Sequence, residues 1–101
     1  DKKYKSIPKY PAIERDMAVL VKDEIVSMQI ETIVKETAGN LLESVKMFDM
    51  YKGKQILEGH KSVAYELVFR ADDRTLVDEE VNKIFNKVLK ALEAEIGAQL
   101  R

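Results

Sequence analysis

The sequence predicts an α+β sandwich in which four antiparallel strands are backed on one face by two helices. Three observations predict it. Two stretches carry apolar residues at helical spacing, four short stretches have strand character, and along the chain these follow the order βαββαβ. With right-handed crossovers and pairing between neighbours, that order gives a sheet of order 4-1-3-2 with strands 1 and 3 at its centre.

Each element has a local reason. Pro8 and Pro11 prevent a helix or an inner strand at the start, so residues 1–15 are expected as an extended arm. Asp16 to Lys22 (DMAVLVK) is an apolar, β-branched run bounded by charge and reads as strand 1. Ser27 is the expected N-cap of helix 1, which spans Met28 to Ala38. Ile30, Ile33, Val34, Thr37 and Leu41 form its inner face, and Gly39 stops it. Strand 2 is expected over Glu43–Lys52 and strand 3 over Lys61–Arg70. In strand 3, Val63, Tyr65, Leu67 and Phe69 alternate with Ser62, Ala64, Glu66 and Val68. Asp78, Glu79 and Glu80 place negative charge where a helix begins. Val81, Ile84, Phe85, Val88, Leu89, Leu92 and Ile96 then form one apolar stripe that ends at Gly97. A last short strand, Ala98 to Arg101, closes the sheet, and the whole is a split βαβ, ferredoxin-like sandwich.

Length and composition bound the rest. A chain of 101 residues, 46% apolar and 35% charged, suits one domain with one core, and residues 1–101 are read as a single domain. It begins at Asp1 rather than Met, so a fragment of a longer chain is expected. Without cysteine there is no disulfide, thiol nucleophile or thiolate metal site. No apolar run approaches the ~20 residues that span a bilayer, so no membrane partner is expected. The net charge is −1, yet charge is uneven. Residues 1–22 set Lys2, Lys3, Lys5, Lys9, Arg15 and Lys22 against Asp1, Glu14 and Asp16. Residues 44–61 set Lys46, Lys52, Lys54 and Lys61 against Asp49 and Glu58.

Side chains alternate across a strand. If the odd residues of strand 3 face the helices, Phe48 and Met50 should face them too. Met47, Asp49 and Tyr51 should then share the open face with Ser62, Ala64 and Ala18. Such a face offers a carboxylate, a phenol ring, a hydroxyl and a floor of small groups, which suits a flat polar ring such as a nucleobase. Solvated edge residues are the plainer reading, and periodicity leaves both open. His60 reads as a hydrogen-bonding residue of the hairpin, because no second His and no Cys complete a metal or nucleophilic set. No catalytic and no metal-binding residue is expected.

Five separated stretches then carry a resemblance. They are YPAIERDMAVLV (10–21), LLESVKMFDMYKG (41–53), EGHKSVAYELVFR (58–70), RTLVDEEVN (74–82) and the terminal LR. Together they resemble the ferredoxin-fold anticodon-binding domain at the C-terminus of bacterial phenylalanyl-tRNA synthetase β subunits. The resemblance implies that the domain grips the anticodon stem-loop of tRNA(Phe), RNA rather than DNA, within a cytoplasmic (αβ)2 assembly of β and α subunits. It implies that ATP, Mg²⁺ and phenylalanine belong to that parent ligase, with no cofactor in this domain. The aspartate and tyrosine of the F-D-x-Y-x-G block and the serine of G-H-K-S carry over to Asp49, Tyr51 and Ser62 as base-reading residues. Ala64 and Ala18 join them from the alternation alone. Asp49 is suited to accept from guanine N1 and N2. Lys46, Lys52, Lys54, Lys61, Lys5, Lys9 and Arg15 are the candidates for phosphate contacts, which position RNA without reading its sequence. The alternatives are a protein-interaction module or a small-ligand regulatory module on the same fold.

Overall fold

Met17, Val19 and Val21 fall on one side of the first strand and are each 1% exposed, and this burial decides which way the sheet faces. A computed structural model describes residues 9–101, so Lys5 and most of the expected arm lie outside the described residues. The elements are β1 (Ile13–Lys22), α1 (Ser27–Ala38), a 3-10 turn (Gly39–Leu41), β2 (Leu42–Tyr51), β3 (His60–Phe69), α2 (Asp78–Ile96) and β4 (Gln99–Leu100). The sheet order is β2-β3-β1-β4 with every neighbouring pair antiparallel, which is the expected 4-1-3-2 read from the other edge.

The central pair is regular. β1 and β3 run in unbroken register from Ile13 opposite Phe69 to Lys22 opposite His60. That pairing draws Ile13, Glu14 and Arg15 into β1, so the strand starts three residues before the expected Asp16 and the arm is correspondingly shorter.

Both helices lie on one side. Ile30, Ile33 and Val34 of α1 and Val81, Val88 and Leu92 of α2 enter one core with Met17, Val19 and Val21 of β1 and Val63, Tyr65, Leu67 and Phe69 of β3. Ile84, Phe85, Leu89 and Ile96, the rest of the expected α2 stripe, pack against it partly buried. Ser27 is not the cap of α1. The cap is Val26, whose amide donates to Gln29 Oε1 at 2.9 Å, because a residue three places into the helix can reach back to an orphan donor. α2 repeats the device, with the Val77 amide donating to Glu80 Oε1 at 3.2 Å. Ser27 is thereby released to bond inward, 2.7 Å from the hydroxyl of the fully buried Tyr65. Burial pushes the Tyr65 phenol above its ordinary pKa, and Glu31 adds to the effect while the Ser27 bond opposes it. At the other end of α2, Gly97 adopts a left-handed conformation (φ 68°) and donates to the Glu93 carbonyl at 3.0 Å. A side chain at that φ would be strained, which is why the helix stops there.

β2 departs from the alternation. Its register against β3 slips twice, between Leu42 and Ser44 and between Met47 and Asp49. Each slip is a β-bulge, one extra residue on β2 that resets which side chains point out.

Candidate nucleic-acid interface

The sheet face away from the helices is built from rows of directly opposed residues. In one row Asp49 faces Ala64, and Ala64 faces Ala18; in the next, Tyr51 faces Ser62, and Ser62 faces Leu20. Opposed residues of antiparallel strands share a face. The five residues expected to read bases, Asp49, Tyr51, Ser62, Ala64 and Ala18, therefore do come together.

Their chemistry is legible atom by atom. β2 is an edge strand, so half of its amides have no ladder partner. Asp49 Oδ1 accepts from one amide near that edge, the Met50 N–H, at 2.9 Å. That bond fixes the carboxylate, and among the described residues nothing bonds its second oxygen. Tyr51 is 46% exposed and lies with its phenol over Gly53. A Cβ at position 53 would meet Tyr51 Oη at 2.6 Å, so the glycine leaves room for the ring in this position. Ser62 is 9% exposed, and among the described residues its hydroxyl has no hydrogen-bond partner. Buried polar groups are normally satisfied, so this hydroxyl is a free donor and acceptor on the floor of the face.

Two positions on β2 overturn the simple alternation. Met47, expected on the open face, stands opposite the core residue Tyr65 and so belongs to the helix side. Phe48, expected to face the helices, is 57% exposed and lines an open-face cleft with Lys46, Glu66 and Asp16. The physical reason is the bulge, which places Phe48 and Asp49 together against Ala64. Met50, opposite Val63, keeps its expected side. Strand alternation therefore missed Phe48. A signal was present in the spacing of Leu42, Val45, Met47 and Met50, which runs three, two, three rather than two throughout.

The cations fall into three groups. Lys46 stands on the open face opposite Glu66. Lys52 and Lys61 converge on the turn after β1, where Lys52 Nζ lies 3.3 Å from Asp23 Oδ1 and Lys61 Nζ donates to the Asp23 carbonyl at 3.1 Å. Lys54 and Lys9 are exposed. Arg15 is not with them. Its guanidinium turns toward the start of α2, donating to Asn82 Oδ1 at 3.1 Å and lying 3.5 Å from Asp78. His60 occupies the hairpin end, its Nδ1 3.0 Å from the Glu58 carbonyl. Among the described residues no group of three or more His, Asp or Glu side chains can hold a metal ion. No described helix is long and apolar enough to cross a membrane.

The architecture and its bare face define a ferredoxin-like sandwich that presents strands, not helices, on one side. The chain belongs to the family of the ferredoxin-fold anticodon binding domain, which it matches over residues 8–101. It is 54% identical over its whole length to the phenylalanine–tRNA ligase beta subunit of Clostridium tetani, of which it covers 13%. Identity to the protein of the same name from Symbiobacterium thermophilum is 47%, over 97% of this chain and 11% of that protein. For Bacillus subtilis the figures are 46%, 97% and 12%. The chain thus spans a small part of the length of the curated relatives it matches.

Proposed function

We propose that this chain is the anticodon-reading domain of a phenylalanine–tRNA ligase β subunit, a single domain that binds RNA and carries no catalytic group. The observation that carries the reading is the pair of adjacent rows, Asp49–Ala64–Ala18 and Tyr51–Ser62–Leu20, on a face free of helices. Small residues let a planar base approach the sheet, Tyr51 supplies a stacking surface, and Asp49 supplies an acceptor. A carboxylate accepts and cannot donate, so it complements the N1–H and N2–H of guanine. Adenine presents an acceptor at N1 and fits it poorly. Lys52 and Lys54 at the hairpin end, with Lys46 beside the base-reading row, are the cations this reading assigns to the RNA backbone, whereas Lys61, opposite the core residue Val21, is turned to the helix side and to the Asp23 carbonyl.

In this reading the partners are tRNA(Phe), the rest of the β subunit and an α subunit in an (αβ)2 assembly in the cytoplasm. ATP and Mg²⁺ serve the aminoacylation chemistry elsewhere in that assembly. The whole-chain identity to ligase β subunits supports this. So does the family description.

The test is binding of hairpin RNAs whose loops carry the phenylalanine anticodon G-A-A, or the same loop with its guanosine replaced by adenosine. Asp49→Ala should weaken the guanosine loop by about tenfold or more, as expected for loss of a bidentate base contact. The adenosine loop should change little. Equal weakening of both would remove the base-reading role of Asp49.

A further inference from the structure

We propose that the open face holds a second nucleobase subsite, the cleft between Phe48, Lys46, Glu66 and Asp16, which takes an amino-bearing base next to the one at Asp49. This rests on the anticodon reading above and extends it to a second position of the loop.

The cleft has a volume of about 200 Å³, small beside a drug-sized pocket and suited to one planar ring. Its wall is Phe48, which the bulge turns outward and which stays 57% exposed on the open face. An aromatic ring in that position is a stacking surface without a partner among the described residues, and base–aromatic stacking tolerates any base. Its floor is the row Lys46–Glu66–Asp16. Glu66 and Asp16 are directly opposed like charges on the two central strands, an unfavourable arrangement by itself. Among the described residues neither carboxylate takes a hydrogen bond or an ion pair.

Two carboxylates can only accept, so the base must bring donors. The exocyclic amino groups of adenine, cytosine and guanine do so. Uracil has a single N–H flanked by two carbonyls, which would face the negative charges. Phosphate is repelled from the floor and drawn to the Lys46 side. The row lies two residues along β3 from Asp49–Ala64–Ala18, about 7 Å away, and unstacked neighbouring bases fit that separation. Phe48 and Asp49 thus stand side by side on one bulge and serve adjacent bases.

The test uses the complete ligase carrying this chain and a G-A-A hairpin in which the middle adenosine is replaced by purine riboside, which lacks only the amino group. Wild-type protein should lose about tenfold in affinity, read by fluorescence anisotropy. An Asp16→Ala/Glu66→Ala variant should lose twofold or less on the same replacement. Phe48→Leu, which keeps apolar bulk at an exposed site, should weaken both hairpins several-fold and leave the preference for guanosine intact. If the guanosine preference persists but the wild type ignores the missing amino group, or wild type and double variant respond equally, the second subsite is refuted and the anticodon reading stands. If the wild type binds a scrambled loop as well as G-A-A, both fall.

Discussion

The two faces of β3 come from one decapeptide and obey opposite rules. Val63, Tyr65, Leu67 and Phe69 are at most 3% exposed and fill the core with large apolar volume. Ser62, Ala64 and Glu66, interleaved with them, are small or polar and lie on the helix-free side. A face that must exclude water selects bulk, whereas a face that must admit a flat ligand selects room and hydrogen-bonding groups. Substitutions on the first should therefore act on stability and those on the second on binding.

Leu67→Ala should break the core side, costing about 2–5 kcal/mol in urea denaturation because it removes buried volume and leaves a cavity. The folded fraction should bind RNA as before. Ala64→Leu should do the reverse. Its branched side chain would stand between Asp49 and Ala18. It should weaken the G-A-A hairpin by about tenfold, as for a lost base contact, while costing far less stability than Leu67→Ala, because Ala64 is only half-buried and lies on the helix-free side.

Tyr65→Phe sharpens the contrast at atomic scale. It removes only the hydroxyl that meets Ser27 at 2.7 Å and should cost about 1 kcal/mol with no change in RNA affinity. It also carries a pH signature. The folded pKa of Tyr65 is raised above 10.0, so its stabilisation is complete below that value and declines as the pH rises, when the unfolded tyrosine ionises first. The variant should lose that part of the alkaline decline in melting temperature.

The smallest effect belongs to neither face. The Arg74 guanidinium and the Val77 amide hold the Glu80 carboxyl below its ordinary value of 4.5. A lowered pKa means stability that is present above 4.5 and lost as the pH falls through the folded value. Glu80→Gln should slightly flatten the acid limb of the melting curve, and RNA affinity at neutral pH should not move.

How much of this was legible depended on whether a pattern had one solution. The α2 stripe from Val81 to Ile96 admits only a helix with one buried face, and the odd residues of β3 admit only one inward side. The caps were less legible. Ser27 is the better capping residue by type, but a neighbouring glutamine reached the orphan amide and the serine was needed by Tyr65. Asp49 and Tyr51 fall on the expected face because no slip separates them from the hairpin, Asp49, Met50 and Tyr51 pairing in unbroken register with Ala64, Val63 and Ser62. Phe48 was misplaced because its apolar side chain fits either side of a strand until the register is known.

The sequence by itself determined the element order, the sheet order and the core, since these follow from local periodicity and from the handedness of connections. It also determined that Asp49, Tyr51 and Ser62 can share a surface. Only the tertiary structure decided the bulge at Met47–Asp49, the turning of Phe48 toward Glu66 and Asp16, and the diversion of Arg15 to Asn82. Each depends on the pairing of residues far apart in the chain. Periodicity reports which residues alternate, and only the neighbouring strand reports where the alternation is interrupted.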